Sequence, residues 1–269
     1  MSELEVNMNQ ANIPVVILAG GLGTRLREET EYRPKPMVEI GSHPILWHIM
    51  KTYSSYGYND FYICSGYKKE IIQDYFLNFN ARNASFSLKL NEPGSITYHH
   101  KNNFEPWNVT VIDTGELTNT GGRIWQLREQ IANKRFFCTY GDGLSDVNID
   151  DLLRYHVQKN AIATLTAVKP QVRFGILEIS DDGIVQNFSE KPKSDTWING
   201  GYFVFEPEIF SELNEDSVLE HKPLENLAKS NSLAAFKHNG FWQPMDTFRE
   251  FKSLNNLWAE NKAPWKVWK

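Results

Sequence analysis

The sequence predicts an α/β fold: a mostly parallel or mixed sheet flanked by helices, with antiparallel strands added in the second half. Two observations favour this class. In the first half, apolar strand-like runs alternate with segments of helical periodicity, which is typical of a parallel sheet covered by helices. In the second half, short strand-like segments follow one another closely. The length of 269 residues fits one large domain. We therefore expect one Rossmann-like domain over residues 13–269, after a flexible polar extension over residues 1–12.

The elements of the first half follow from apolar patterning. Residues 15–19 form a continuous apolar run, as expected for a strand buried on both faces. Pro44 can begin a helix that continues to about Tyr56, because its apolar residues recur at helical spacing and Gly57 ends it. The same reasoning predicts strands over residues 61–65, 109–114 and 135–140, helices over 68–76 and 122–131, and one or two strands with a long loop between 77 and 108.

The second half is predicted to contain closely spaced strands. Asp182-Gly183 is a hairpin signal between two of them. The predicted strands cover residues 163–168, 175–179, 184–190 and 199–205, and a final helix covers about 247–261.

Charge and composition exclude several partners. A net charge of −5 provides no broad basic surface, so we expect no nucleic acid partner. No apolar run has the length of a membrane span, and the N-terminus lacks an apolar signal region. Cys64 and Cys138 lie in apolar strand-like runs, which predicts buried, reduced thiols. We therefore expect a cytoplasmic protein without a membrane partner.

A glycine-rich loop follows the first predicted strand. Gly20, Gly21 and Gly23 let the backbone turn sharply, and successive N–H groups in such a loop form a concavity for anions. The loop is not a dinucleotide fingerprint, because Leu26 replaces its last glycine. It is not a P-loop either, because no Gly-Lys-Ser/Thr follows. The sequence therefore predicts a phosphate site of another type.

Two cations lie near this loop in the sequence. Arg25 can bind phosphate oxygens with its guanidinium, and Lys35 offers a compact charge. Prolines at 34 and 36 hold the backbone extended around Lys35. On spacing alone, a phosphate-binding lysine and a solvated lysine on a rigid loop are equally good interpretations, and the adjacent glycine loop favours the first.

Two aspartates stand where strands and helices meet. Asp142 ends a predicted buried strand between two glycines, where a turn-forming role is the alternative. Asp246 precedes the final predicted helix, and its local sequence alone favours a helix N-cap.

Residues 18–26 (LAGGLGTRL) and 34–37 (PKPM) resemble the signature of the sugar-phosphate nucleotidyltransferases. Further segments are similar to one branch of this family, the glucose-1-phosphate cytidylyltransferases. These segments are 28–30 (EET), 38–41 (VEIG), 45–50 (ILWHIM), 105–110 (EPWNVT), 113–115 (DTG), 120–123 (TGGR), 140–143 (YGDG), 190–192 (EKP), 198–201 (INGG), 240–247 (GFWQPMDT) and 262–265 (KAPW). The resemblance covers nearly everything after residue 12.

The resemblance implies roles for individual residues. Arg25 and Lys35 would be catalytic, and Asp142 with Asp246 would hold Mg²⁺. The sugar phosphate would contact Arg173, Glu190, Lys191, Asn199 and Gly201. The nucleotide would contact Leu18, Ala19, Gly20, Gly21, Gly23, Thr24, Arg25, Lys35, Thr118, Arg123 and Gly141. Without the resemblance, Glu190-Lys191 reads as an exposed charged pair, and Arg123 as a solvent-facing helix residue.

The reaction that the resemblance implies joins CTP and α-D-glucose 1-phosphate, giving CDP-glucose and pyrophosphate by direct in-line attack. A thymidylyl- or uridylyltransferase is the nearest alternative, followed by a non-catalytic nucleotide-sugar-binding regulatory protein and by a glycosyltransferase. The regulatory alternative is disfavoured because both cations and both aspartates are present.

The sequence departs from the family at Phe248-Arg249-Glu250, where Leu-Arg-Asp is common. We expect no loss of activity, because Glu keeps the negative charge.

The Trp-rich C-terminal segment is too apolar to stay in solvent, so it should pack on the rest of the chain or on another subunit of a homo-oligomer.

Overall fold

The computed structural model describes residues 13–24, 26–92, 94–99, 104–131, 133–171, 174–191 and 193–268. The expected flexible extension over residues 1–12 lies outside the described residues.

The first half of the chain begins with strand β1, which leads into the glycine loop. The elements are β1 (Val15–Leu18), α1 (Arg27–Thr30), a 3-10 turn (Lys35–Met37), β2 (Glu39–Ile40), β3 (His43–Pro44), α2 (Ile45–Ser55), β4 (Asp60–Ser65), α3 (Lys69–Leu77), α4 (Phe79–Asn83), β5 (Ser85–Leu88), β6 (Ile96–His99), β7 (Asn108–Asp113) and α5 (Thr120–Trp125).

The second half adds eleven elements and a second 3-10 segment. They are β8 (Phe136–Tyr140), β9 (Gly143–Ser145), α6 (Ile149–Lys159), β10 (Ala163–Val168), β11 (Ile176–Ile179), β12 (Val185–Ser189), β13 (Ile198–Phe205), the 3-10 segment Pro207–Glu212, α7 (Lys222–Lys229), β14 (Leu233–His238), β15 (Trp242–Pro244) and α8 (Phe248–Ala259).

A seven-stranded sheet forms the centre, in the order β14-β10-β13-β8-β1-β4-β7. Strand β13 runs antiparallel to β8 and β10, and the other pairs in the sheet are parallel. The predicted mostly parallel or mixed sheet with helices is confirmed. Because β13 is antiparallel, its N-terminal end lies at the same edge of the sheet as the C-terminal ends of β1 and β8.

Alternation along β1 divides the core between the two faces of the sheet. Val15 and Ile17 pack with α2, α6 and α8 on one face. Val16 and Leu18 pack with α5, α7 and the 3-10 segment on the other. Cys64 and Cys138 are buried and unpaired, as expected.

Two hairpins lie outside the central sheet. The Asp182-Gly183 signal is confirmed as the turn between β11 and β12, and β5 pairs with β6 in the segment where one or two strands were expected. Both hairpins carry exposed large apolar side chains, among them Phe86, Leu88, Ile176, Ile179 and Phe188.

The predicted helix over residues 122–131 was too long, because α5 ends at Trp125 and turns follow it. The patterning also did not predict α6, α7, β9, β14 or β15. No helix among the described residues is long and apolar enough to cross a membrane.

The Trp-rich ending packs on its own chain. Trp265 is fully buried, and its indole N–H donates to Nδ1 of His48, 3.3 Å away on α2. Trp258 and Trp268 contact the His48 ring from other sides.

Candidate active site

A cavity of about 590 Å³ lies at the edge of the sheet where β1 and β8 end. Crevices beyond the carboxyl ends of parallel strands are the usual ligand sites of such sheets. Ten residues predicted to contact the nucleotide line it: Leu18, Ala19, Gly20, Gly21, Gly23, Thr24, Lys35, Thr118, Arg123 and Gly141. Asp142, Asn199, Gly201 and Asp246 line it as well.

The glycine loop is open on one side and tightly packed on the other. A Cβ at Gly21 would meet no atom within 4 Å, whereas a Cβ at Gly20 would lie 2.0 Å from Nη1 of Arg123. Gly23 has a φ of 63°, which favours glycine. The loop can therefore bring its backbone close to a ligand from the open side.

Arg123 holds the inner side of this loop. Its guanidinium donates to four carbonyl oxygens and one hydroxyl: the carbonyls of Gly20 (3.0 Å), Ser65 (3.2 Å), Gly115 (2.8 Å) and Glu116 (3.2 Å), and Oγ1 of Thr114 (2.6 Å). The side chain is buried, and burial lowers its pKa. Arg123 therefore ties the glycine loop to the ends of β4 and β7, and it is not the solvent-facing helix residue that local sequence favours.

Lys35 brings the two predicted metal ligands together. Its ammonium Nζ lies 2.6 Å from Oδ2 of Asp142 and 2.6 Å from Oδ1 of Asp246. Burial alone would lower the pKa of Lys35, but the two carboxylates outweigh it and raise that pKa. The lysine therefore carries its positive charge at the floor of the cavity, and it is not the solvated lysine of the alternative interpretation.

A short antiparallel pair explains why the two aspartates meet. Strand β15 pairs with β9, with Pro244 opposite Gly143, and the backbone N–H of Met245 donates to the carbonyl of Asp142 at 2.8 Å. This pairing places Asp246 beside the end of β8.

The helix N-cap after β15 is Thr247, which forms a capping box with Glu250. The N-cap interpretation of Asp246 is therefore wrong, and its carboxylate faces Lys35 instead. Glu250, the position where the sequence departs from the family, also accepts from the backbone N–H of Asp246 at 2.8 Å. The longer side chain thus helps to hold the acidic residue in place.

The chemistry of the two carboxylates fits a divalent cation. Both oxygens are 2.6 Å from the same nitrogen, so they lie at most 5.2 Å apart. Magnesium sites commonly use one or two carboxylates together with phosphate oxygens from the substrate. The described residues contain no group of three or more acidic, His or Cys side chains that could hold a metal alone, so the phosphates would have to complete the coordination.

Another part of the cavity wall contains Glu220, which the sequence did not single out, beside Tyr140 and Thr120 of the quoted motifs. Glu220 accepts a hydrogen bond from the Tyr140 hydroxyl and another from Oγ1 of Thr120, at 2.7 Å. Burial, and then the charge of Glu220, raise the pKa of Tyr140 far above its usual value. Glu220 lies in an irregular segment before α7, where no motif or periodicity indicated a site.

The predicted sugar-phosphate residues divide into three groups. Asn199 and Gly201 line the cavity at the start of β13. Glu190 and Lys191 lie at the end of β12, outside that cavity, and pair with one another at 2.8 Å. Arg173, like the predicted catalytic Arg25, lies outside the described residues.

Comparison with known proteins shows the family to which the chain belongs. Residues 14–256 match the family model described as nucleotidyl transferase. The chain is 49% identical over 256 residues to the glucose-1-phosphate cytidylyltransferase of Salmonella typhi, covering 94% of this chain and 98% of that protein. It is 43% identical to the probable glucose-1-phosphate cytidylyltransferase of Bacillus subtilis, covering 94% and 99%.

A solved structure, HddC from Yersinia pseudotuberculosis, shares the fold with a TM-score of 0.67 at 23% identity, covering 91% of this chain and 99% of that one. The sequence matches extend over the glycine loop, Lys35 and both aspartates of the cavity. The chain belongs to the nucleotidyl transferase family, in the group of sugar-1-phosphate cytidylyltransferases.

Proposed function

We propose that this enzyme joins CTP and α-D-glucose 1-phosphate, giving CDP-glucose and pyrophosphate. The convergence of Lys35, Asp142 and Asp246 beside the glycine loop carries the proposal of nucleotidyl transfer. The choice of base and sugar is supported by the relatives that share 43–49% of their residues with this chain.

The proposed reaction is a single displacement at phosphorus. A phosphate oxygen of the sugar 1-phosphate forms a bond to the α-phosphorus of CTP, while the bond from that phosphorus to the β-phosphate oxygen breaks and pyrophosphate leaves. Two anions must meet, so positioning and charge neutralisation supply most of the catalysis. The cavity offers the backbone N–H groups of the glycine loop and the ammonium of Lys35 for this purpose. No side chain has to form a covalent intermediate.

We propose Mg²⁺ as the cofactor, held by Asp142 and Asp246. Bound there, it would neutralise charge on the phosphate oxygens of the nucleotide. The close approach of the two carboxylates to one cationic nitrogen supports this assignment.

We assign the sugar side of the cavity to the start of β13. Asn199 and Gly201 line the cavity beside Tyr140 and so support this assignment. The roles of Arg173, Glu190 and Lys191 in binding the sugar phosphate stay a prediction.

A matrix of nucleotides against sugar 1-phosphates, scored by pyrophosphate release, tests the proposal. We expect strong release with CTP and α-D-glucose 1-phosphate and weak release with dTTP or UTP. Equal use of the three nucleotides would refute the cytidine assignment. Absence of release with every pair would favour a regulatory binding protein, and transfer from a supplied nucleotide sugar would favour a glycosyltransferase.

We further propose that the enzyme works in the cytoplasm as a homo-oligomer. The two buried, unpaired thiols support a reducing compartment. Exposed apolar side chains on β11 and β12, such as Ile179, Val185 and Phe188, support an assembly because an isolated two-stranded hairpin is marginally stable. Light scattering after size-exclusion chromatography would show a single monomeric mass if the assembly does not exist.

A further inference from the structure

The part of the cavity wall that includes Tyr140 and Thr120 contains a carboxylate that the proposed reaction does not yet use. Glu220 lines the cavity from the segment before α7. Among the described residues, no Lys or Arg forms a salt bridge with it. Among the described residues, its side-chain hydrogen bonds come from two neutral hydroxyl groups, those of Tyr140 and Thr120. Since the described residues give this half-buried carboxylate no cationic partner, its place in the cavity indicates a role in binding.

The hydrogen bonds around Glu220 have a fixed direction. A carboxylate can only accept, so Tyr140 and Thr120 must both donate to it. The Tyr140 oxygen in turn accepts from Nδ2 of Asn199 at 3.3 Å, and Oδ1 of Asn199 accepts from the backbone N–H of Gly201 at 2.9 Å. Glu220 therefore sets the orientation of the hydroxyl and amide groups that line this side of the cavity.

The same carboxylate retains capacity for a ligand. An ionised carboxylate offers about four acceptor positions, and two of them are used by Tyr140 and Thr120. A ligand that reaches the remaining positions must donate, as a sugar hydroxyl does. The negative charge of Glu220 disfavours phosphate groups beside it, whereas the backbone N–H groups of the glycine loop and the ammonium of Lys35 favour them.

The chain of hydrogen bonds leads to the sugar side. Tyr140 and Asn199 connect Glu220 to the start of β13, where we have assigned the sugar. The ring of Tyr140 also packs closely on Gly201, since a Cβ there would lie 2.4 Å from the ring. Movement of Glu220 would therefore be transmitted to the residues that border the sugar.

We propose that Glu220 is a specificity-determining residue for the sugar. Its carboxylate accepts a hydrogen bond from a ring hydroxyl and keeps the side chains of Tyr140 and Asn199 in position beside the sugar. This inference rests on the proposed function, and it adds to it a carboxylate that selects the hydroxylated sugar over deoxy analogues. Hydrogen-bonding sites reject substrates that lack the partner group far more strongly than apolar sites do, because the site is left with an unpaired polar group.

The test compares Glu220→Gln with the wild-type enzyme on glucose 1-phosphate and on its 2-, 3-, 4- and 6-deoxy analogues. We expect wild type to disfavour one analogue by about 10- to 100-fold in kcat/KM, the effect of a hydrogen bond to a charged group. In the variant, KM for glucose 1-phosphate should rise by a similar factor, the preference at that one hydroxyl should vanish, and KM for CTP should stay within about twofold. The matched control is Glu225→Gln, on an exposed position of α7, which should behave as wild type.

Three outcomes would overturn the proposal. One is an unchanged sugar preference with a uniform loss of activity, which a purely structural role gives. The second is a rise of KM for CTP alone, which would assign the carboxylate to the nucleotide. The third is a variant indistinguishable from wild type.

Titration of glucose 1-phosphate by calorimetry separates this test from that of the reaction. If wild type released no pyrophosphate, the proposed function would fail. Weaker binding of glucose 1-phosphate to Glu220→Gln than to Glu225→Gln would still support the role of Glu220, and equal binding would refute it.

Discussion

Lys35 and Asp246 are separated by 211 positions in the chain, yet the ammonium Nζ of the first lies 2.6 Å from a carboxylate oxygen of the second. Asp142 contacts the same nitrogen at the same distance. One ammonium thus pairs with two carboxylates at the floor of the cavity, which leaves a net negative charge there. Two cations, Lys35 and a metal ion, would share these carboxylates during the proposed reaction.

Replacement of Lys35 by alanine should reduce turnover sharply while the protein stays folded. The substitution removes the only ammonium among the described residues lining the cavity, and with it the charge that opposes both aspartates. We expect a loss of about 10²- to 10³-fold in kcat, as for other electrostatic groups at reacting centres. Pyrophosphate release measures it, with circular dichroism to check folding. Lys229→Ala, at an exposed position of α7, is the control, and near-normal turnover of the Lys35 variant would refute the role.

Asp142→Asn and Asp246→Asn should each weaken the binding of the divalent cation. An amide keeps the shape but removes the negative charge, so the Mg²⁺ concentration for half-maximal activity should rise at least about tenfold. Binding of Mn²⁺, followed by electron paramagnetic resonance, gives a readout that does not depend on turnover. The control is Asp181→Asn, at an exposed turn between β11 and β12 that does not line the cavity. If both variants kept wild-type cation dependence, the metal assignment would fail.

Arg123→Lys should lower both the stability and the affinity for nucleotide. A lysine has three donors on one nitrogen and cannot span the four carbonyls that the guanidinium joins. Leaving buried carbonyls without donors should cost about 2–4 kcal/mol in the free energy of unfolding, measured by urea denaturation.

Because the Gly20 carbonyl is among those released, the glycine loop should loosen and KM for CTP should rise. Arg82→Lys, which changes an exposed ion pair with Asp74, should cost less than about 1 kcal/mol. If Arg123→Lys were as stable as Arg82→Lys, the hydrogen bonds of the Arg123 guanidinium would contribute nothing to the free energy of unfolding.

The sheet and one wall of the site could be predicted from the sequence because the residues that indicate them lie close together along the chain. The apolar run of β1 predicts a buried strand, and the glycines after it, together with the proline-held Lys35, predict an anion site. Asp142 follows from its position at the end of β8. Each of these signals lies within a few residues of the group it predicts.

The rest of the site depends on contacts between distant segments. Asp246 reaches Asp142 only because β9 and β15 pair, and strands of three residues are too short to show periodicity. The partners of Arg123 are backbone carbonyls of three separate segments, which no side-chain pattern reveals. Glu220 lies in a segment without regular structure, so its place in the cavity became visible only in the fold.

The buried His48 should make stability fall as the pH is lowered from neutrality. Burial lowers its pKa from 6.5 to about 4 and outweighs the hydrogen bond between Nε2 and the carbonyl of Ile40 (2.9 Å), which raises that pKa. Nδ1 accepts from the indole N–H of Trp265, which also opposes a second proton on the ring. Between these two pH values the unfolded chain binds a proton that the folded chain does not, so the free energy of unfolding decreases as the pH falls through this window. The full effect below the window is about 3 kcal/mol, and about 2 kcal/mol of it should be lost between pH 7 and pH 5.

Urea denaturation at pH 7 and pH 5 measures this loss. In His48→Gln the decrease in stability between the two pH values should be about 2 kcal/mol smaller than in wild type, because the titrating group is absent. His221→Gln, at an exposed position, keeps the His48 ring and should retain the wild-type decrease. An equal decrease in wild type and His48→Gln would show that the ring takes up its proton without opposition in the folded protein, and that burial and the contact from Trp265 do not hold it neutral.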